Sequence, residues 1–271
     1  MRKFFLISLL AFLLSIKVSQ ACSVLYYVDS ETGKIYVANN EDYWYDVDAY
    51  IQIEPRSKTD LARLWYGWDD FAQGGINEAG LFFDGAVTPE QSKIKGAKKY
   101  KGNLGNDLLA KCKTVEEALE FLKTNRIGLP DAHMMLGDAT GNAVVIEWID
   151  GKQQVIEITD NKLIMTNFLL GNPPEGNHPC PRYNAIQSAI EKLESNEAPI
   201  DFLSISQTIG PAVQVPQQDK NGKTGGTLYS SFINISDMEF ILVYKINNKK
   251  ITKLNLKEEF QGKKKKKLTL E

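Results

Sequence analysis

Cys22 follows Ser19-Gln20-Ala21, and that junction is where residue types and spacing first suggest chemistry. Upstream, Arg2 and Lys3 form a short basic start, and Phe4 to Ile16 is an apolar run broken only by small serines. Small residues at 19 and 21 complete the pattern of a cleaved secretory leader over residues 1–21, with an apolar run short for a membrane span. A cut after Ala21 gives Cys22 a free α-amine beside its thiol. That amine has a reference pKa near ~8, so a usable fraction is neutral and can take the thiol proton directly or through a water. Such a nucleophile carries its own base. It still needs a carboxylate to orient the amine and N–H donors to hold an oxyanion. The stretch VANNEDYW supplies a carboxylate, Asp42, just past an apparent strand, and MTNF supplies an amide, Asn167, at the end of another.

Familiar alternatives are absent. The chain has two histidines, His133 and His178, and nothing in the sequence links either to Cys22. There is no HExxH or CxxC spacing, no phosphate-binding glycine loop after a strand, and GTLYS lacks the GxSxG pattern. The reading therefore includes no metal and no cofactor. Three cysteines follow the leader: Cys22, Cys112 and Cys180. A Cys112–Cys180 pair would leave Cys22 over as a reactive thiol, and the sequence leaves that pairing open. The mildly acidic chain, without clustered arginine and aromatics, gives no reason to expect nucleic acid. A competing reading makes Cys22 the lipid anchor of a non-enzymatic envelope lipoprotein. Ser19 stands where a lipobox prefers a Leu-like residue, and a strand begins at once after Cys22, with no linker.

The elements that must position these residues follow from periodicity. Ser23–Val28 and Lys34–Asn39 read as strands joined by a turn, and Phe71–Ile76 and Leu81–Ala86 as a hairpin around INEAG. A helix is expected over Leu104–Lys111. A second helix begins at a capping box formed by Thr114 and Glu117. HMMLGDATGNAVVIEWIDGKQQVIEI reads as strand, turn, strand, turn, strand, followed by a strand over Lys162–Thr166. PRYNAIQSAIEKLES is a helix with Pro181 in its first turn, and a shorter one lies around Ile200–Ile209. Strands near Leu228–Asn234, Phe240–Lys245 and Lys250–Leu256 close the chain. Strands and helices in blocks argue for an α+β fold of antiparallel sheets covered by segregated helices, in one domain over residues 22–260. Residues 261–271, with Lys263–Lys267, read as a solvated tail.

In order, these motifs resemble the cysteine N-terminal-nucleophile (Ntn) hydrolases of the linear amide C–N hydrolase group. That group includes choloylglycine hydrolase, penicillin V acylase and acyl-coenzyme A:6-aminopenicillanic acid acyltransferase. The resemblance is carried by Cys22-Ser23-Val24, Asn39-Asn40-Glu41-Asp42-Tyr43, GGINEAGLFFDG, the HMMLGDATGNAVVIEW hairpin, MTNFLL, PRYNAI and TLYSSFINI. It implies a four-layer αββα sandwich with two antiparallel sheets. It also implies cleavage of a linear amide of a small N-acyl substrate through a thioester on Cys22, by hydrolysis or with acyl transfer. The implied catalytic residues are Cys22, Asp42 and Asn167, with Asn39, Asn40, Asn77 and Arg182 as substrate or oxyanion support. Asn39 stands where the bile salt branch has arginine, and Ala86-Val87 and Ser230-Ser231 stand where that branch has further polar residues. The acyltransferase-like branch is therefore favoured over bile salt substrates. A third reading, an N-terminal-cysteine dipeptidase, shares the fold but is built on a longer chain. Tyr43, Trp44, Tyr45, Trp65, Tyr66 and Trp68 are candidates to line an acyl pocket. The expected location is secreted or periplasmic, without stable membrane insertion, and nothing in the sequence sets the oligomeric state.

Overall fold

The structure is a computed structural model that describes residues 22–270 apart from Lys93, Lys99 and Glu197; the leader expected at residues 1–21 lies outside the described residues. The first hairpin pairs β1 (Ser23–Val28) with β2 (Ile35–Trp44). Next come β3 (Tyr50–Glu54), β4 (Arg63–Trp68), β5 (Phe71–Asn77) and β6 (Phe82–Val87). Two helices follow, α1 (Leu104–Lys111) and α2 (Val115–Thr124). Then β7 (Ala132–Gly137), β8 (Ala143–Ile149), β9 (Lys152–Glu157) and β10 (Lys162–Met165) lead to α3 (Pro181–Glu194) and α4 (Phe202–Thr208). The chain ends with β11 (Gln217–Gln218), β12 (Thr224–Asn234), β13 (Glu239–Tyr244), β14 (Ile251–Asn255), α5 (Leu256–Glu259) and β15 (Lys266–Thr269).

Two antiparallel sheets result. One runs β10-β1-β2-β12-β13-β14, with β11 on β12, and the other runs β15-β3-β4-β5-β6-β7-β8-β9. Period-two alternation explains the layering, because each inner strand sends alternate side chains to opposite faces. Val24, Tyr26 and Val37 from the first sheet meet Ile51, Leu64, Phe82 and Met135 from the second in the central core. On the outer face of the first sheet, Leu25, Tyr27 and Ala38 pack against Ile186, Ile190 and Ile205 of α3 and α4. On the outer face of the second, Trp65, Phe83 and Leu136 pack against Leu108, Val115 and Leu122 of α1 and α2. This is the four-layer αββα sandwich.

Local chemistry sets the helix ends. The Thr114 hydroxyl accepts from Glu117 N at 3.3 Å, as the capping box requires. The Glu117 carboxylate reaches one residue further back than expected, to Lys113 N at 2.7 Å.

Three differences from the sequence reading matter. β2 continues to Trp44, so Asp42 lies inside a strand rather than beyond it. The polar run Asn39–Asp42 reads as a strand end, but β12 pairs with it on one side and β1 on the other, so its backbone is satisfied in the ladder. The strands β3 and β4 are additions to the expected set; β4 (RLWYGW) is buried along its whole length and shows no alternation. The Lys-rich tail is partly a strand. β15 pairs with β3 from Lys266↔Ile53 to Thr269↔Tyr50, with Leu268 packed on the core and Leu270 buried. An open edge offers unpaired backbone groups, and a strand whose lysines stay in water caps it.

Candidate active site

The β1–β2 register pairs Ser23 with Asn40, and one step further sets Cys22 opposite Glu41. Alternation then divides the motif. Asn39 and Glu41 turn toward the space between the sheets, while Asn40 and Asp42 turn toward the helical layer. Cys22 lies on the inter-sheet side, 5 % exposed, with its thiol donating to Glu41 Oε1 at 3.1 Å. Burial pushes the thiol pKa well above its ordinary value, and the carboxyls of Glu41, Asp84 and Asp42 push it the same way.

Asp42 is completely buried. Its Oδ1 accepts from the Thr227 hydroxyl at 2.6 Å, and its Oδ2 has no hydrogen-bond partner among the described residues. A register shift in β12 between Thr227 and Tyr229 sets Thr227 opposite Asp42. Burial raises the Asp42 pKa to about 7, against the Thr227 hydrogen bond and the Arg182 charge, which lower it. Arg182, in the first turn of α3, binds the site together. Its Nη1 donates to Cys22 O at 2.8 Å and Ser23 Oγ at 2.9 Å and stands 3.8 Å from Asp42 Oδ2, while its Nη2 donates to Asn167 Oδ1 at 2.9 Å. Asn167 in turn donates from Nδ2 to Val87 O at 2.7 Å. Cys22, Asp42, Arg182 and Asn167 therefore form one connected group.

The supporting asparagines divide. Asn39 donates to Asp84 Oδ2 at 3.0 Å, in a buried cluster behind Glu41. Asn40 spends its amide on Ile209 O and the Ser230 hydroxyl, on the helical side. Asn77 donates to Leu109 O and Cys112 O and accepts from Ala79 N and Leu81 N, so it locks the β5–β6 turn onto α1. Asn40 and Asn77 thus hold backbone rather than face substrate, because the strand faces and the turn commit their amides to carbonyls elsewhere. Cys112 and Cys180 are both free thiols, so the open Cys112–Cys180 pairing is not formed.

Several residues of the site were missed. Glu41 and Asp84 lay inside the quoted motifs without an assigned role; the hairpin register alone places Glu41 beside Cys22. Asp84 accepts from the Tyr66 hydroxyl at 2.9 Å. Gly74 gives it room, since a Cβ there would come within 2.2 Å of Asp84 Oδ2. His133 is fully buried, with Nδ1 2.9 Å from Glu147 Oε1 and Nε2 2.6 Å from Thr166 O. Glu147 also accepts from Leu170 N and Gly171 N. This pair ties the second sheet to the segment carrying Asn167, a link no sequence spacing reveals.

A cavity of about 400 Å³ opens onto Cys22 and Glu41. Its walls are chiefly apolar, including Tyr43, Trp68, Phe83, Val87, Leu129 and Met134. Of the six candidate aromatics, Tyr43 and Trp68 line it, with ring centroids 4.4 Å apart. Trp65 and Tyr66 are core residues, Trp44 sits under the Lys223 ammonium, and Tyr45 donates to Thr227 O. Among the described residues no group of three His, Cys, Asp or Glu is placed to hold a metal ion.

Residues 29–243 match the family model of acyl-coenzyme A:6-aminopenicillanic acid acyl-transferase. The chain belongs to that family. The strands and helices also superpose on solved structures. The penicillin V acylase of Agrobacterium tumefaciens is similar with a TM-score of 0.70 at 20% identity, covering 91% of this chain and 90% of that one. A variant of the conjugated bile acid hydrolase of Clostridium perfringens gives 0.69 at 18% identity, covering 92% and 97%. A second variant of that hydrolase gives 0.69 at 20% identity, covering 92% and 96%. No curated protein sequence is significantly similar. This family member thus has the Ntn-hydrolase sandwich over nearly all of its described length.

Proposed function

We propose that this protein, exported and cut after Ala21, cleaves the linear amide of an N-acyl substrate through Cys22 and a thioester acyl-enzyme. The observation that carries the reading is the Cys22 thiol lining an apolar cavity, beside the connected group of buried Asp42 and half-buried Arg182 and Asn167. The cavity suits an apolar acyl chain. The unpartnered Asp42 Oδ2 suits an α-ammonium at residue 22, which a charge-assisted hydrogen bond would orient. That positive charge would also counter the carboxyls that raise the thiol pKa.

In this mechanism the α-amine takes the thiol proton and sulfur attacks the acyl carbon. The oxyanion develops near the cavity rim at Val87, where Arg182 holds the Asn167 amide by its oxygen. The α-ammonium then protonates the departing amine, and water attacks the thioester with the same amine as base. An acceptor amine in place of water makes the reaction an acyl transfer. The lipoprotein reading fits less well: Cys22 is 5 % exposed and its thiol faces Glu41 between the sheets, whereas a lipid anchor must leave the protein surface.

The test is made on the exported protein. Its intact mass should begin at Cys22 with an unmodified amine. A panel of N-acyl amides should then yield an acyl adduct on Cys22 and turnover that disappears in Cys22→Ala and largely in Cys22→Ser, while Cys112→Ser and Cys180→Ser remain active. Full turnover in Cys22→Ala on every substrate cleaved by wild type overturns the assignment; a lipid adduct overturns the maturation step with it.

A further inference from the structure

The mechanism above leaves one side chain at the sulfur unused. Glu41 touches the Cys22 thiol at 3.1 Å, is 3 % exposed, and lines the cavity where the acyl carbon must arrive. Its second oxygen, Oε2, has no hydrogen-bond partner among the described residues. A carboxylate here would oppose a thiolate by like-charge repulsion, whereas a neutral carboxyl could donate to it. We propose that Glu41 is a catalytic residue acting in its neutral form, donating a hydrogen bond to the Cys22 sulfur once the thiol proton has left, so that loss of its own proton closes the site.

The surroundings favour that form. Burial pushes the Glu41 pKa up to about 8; the Cys22 thiol and Asn39 oppose the rise, and Asp42 adds to it. Across the sheet interface Asp84 is also held well above its ordinary value, first by burial and then by Glu41, so it too favours its neutral form. Tyr66 and Tyr229 face the same cluster with hydroxyls raised well above their ordinary range by burial. Asp131 and His133 stand on the cavity wall. The cation of the site, Arg182, is directed at Asp42, Asn167 and the Cys22 carbonyl.

The protons balance. The thiol proton goes to the α-amine and later to the leaving amine. Sulfur keeps the electron pair of its broken S–H bond and forms the C–S bond with it. Glu41 turns its O–H to the thiolate by rotating its carboxyl, and neither gains nor loses a proton over the cycle.

This inference rests on the proposed amidase reading, but its test reads the thiol directly. The alkylation rate of Cys22 by iodoacetamide, followed by peptide mass from pH 5 to 10, is compared between the exported wild type and Glu41→Gln, alongside amide hydrolysis. Glutamine keeps a donor and cannot ionise. The alkylation midpoint should fall by about one pH unit or more, the scale of a contacting like charge, and the fall in hydrolysis above pH ~8 should disappear. Glu41→Met, which suits an apolar wall if the glutamine variant folds poorly, should also lose the alkaline fall but reach a lower plateau, since no donor faces sulfur. An unchanged midpoint, or an alkaline fall retained in both variants, overturns the proposal. If wild type cleaves no N-acyl amide while the midpoint still shifts, the amidase reading falls and the coupling of Glu41 to the thiol stands.

Discussion

At Asp42 the two carboxylate oxygens have different work: one is fixed by Thr227, and the other faces Arg182 at 3.8 Å without a hydrogen bond. In the proposed mechanism that second oxygen orients the α-amine of Cys22. Asp42→Asn keeps the shape and the Thr227 contact and removes the charge. It should lower kcat by about 10²-fold or more, the scale of a misplaced catalytic group, and leave the thermal midpoint nearly unchanged. The charge of Asp42 favours the protonated amine, so its removal should also move the acid limb of the pH–rate profile to lower pH. Were the variant to unfold while its folded fraction turned over normally, Asp42 would be a structural residue and the amine would need another partner.

At the scale of elements, the site depends on a join between sheets. β10 ends at Met165, and the chain then runs through Thr166 and Asn167 toward α3. The buried pair of His133 on β7 and Glu147 on β8 grips this stretch through Thr166 O, Leu170 N and Gly171 N. Two carboxylate oxygens that accept three hydrogen bonds do more to fix a loop than apolar packing, because each lost bond strands a buried polar group. Glu147→Gln should cost about 2 kcal/mol in urea unfolding. If the join also aims Asn167, kcat should fall more than KM changes. A shift in unfolding midpoint with unaltered kcat would limit the join to a structural role.

For the whole molecule, the unusual feature is buried acid. The Glu41 pKa is raised from 4.5 to about 8, and that of Asp84 is raised well above its ordinary value, both first by burial. The unfolded chain releases these protons near pH 4 while the folded chain keeps them. The stability they provide is therefore full below pH ~4 and is lost as pH rises toward pH ~8. Half-buried carboxylates such as Asp60 and Asp237, held low by lysine partners, act oppositely, and only in acid. The thermal midpoint should therefore fall by at least about 5 °C between pH 5 and pH 8. The double variant Glu41→Gln, Asp84→Asn should flatten that slope; an equally steep slope in the variant would place its origin elsewhere.

The sequence by itself determined the nucleophile candidate, the first hairpin, the β5–β6 turn, α2 and the sandwich class. Each of these rests on local signals: a cleavage pattern, strand alternation, a capping box, or motifs in a fixed order. It also named Asp42, Asn167 and Arg182, which the fold brings together around Cys22 although Arg182 stands 160 residues away. Tertiary structure decided what local signals cannot carry. Pairing with β12 extended β2 and buried Asp42, while the strand face of Asn40 and the β5–β6 turn at Asn77 commit those amides to carbonyls away from Cys22. The open edge of β3 recruited the lysine-rich end of the chain. Glu41 gained its place by register, since a side chain's face depends on the strand opposite it, and that strand is chosen only when the sheet assembles.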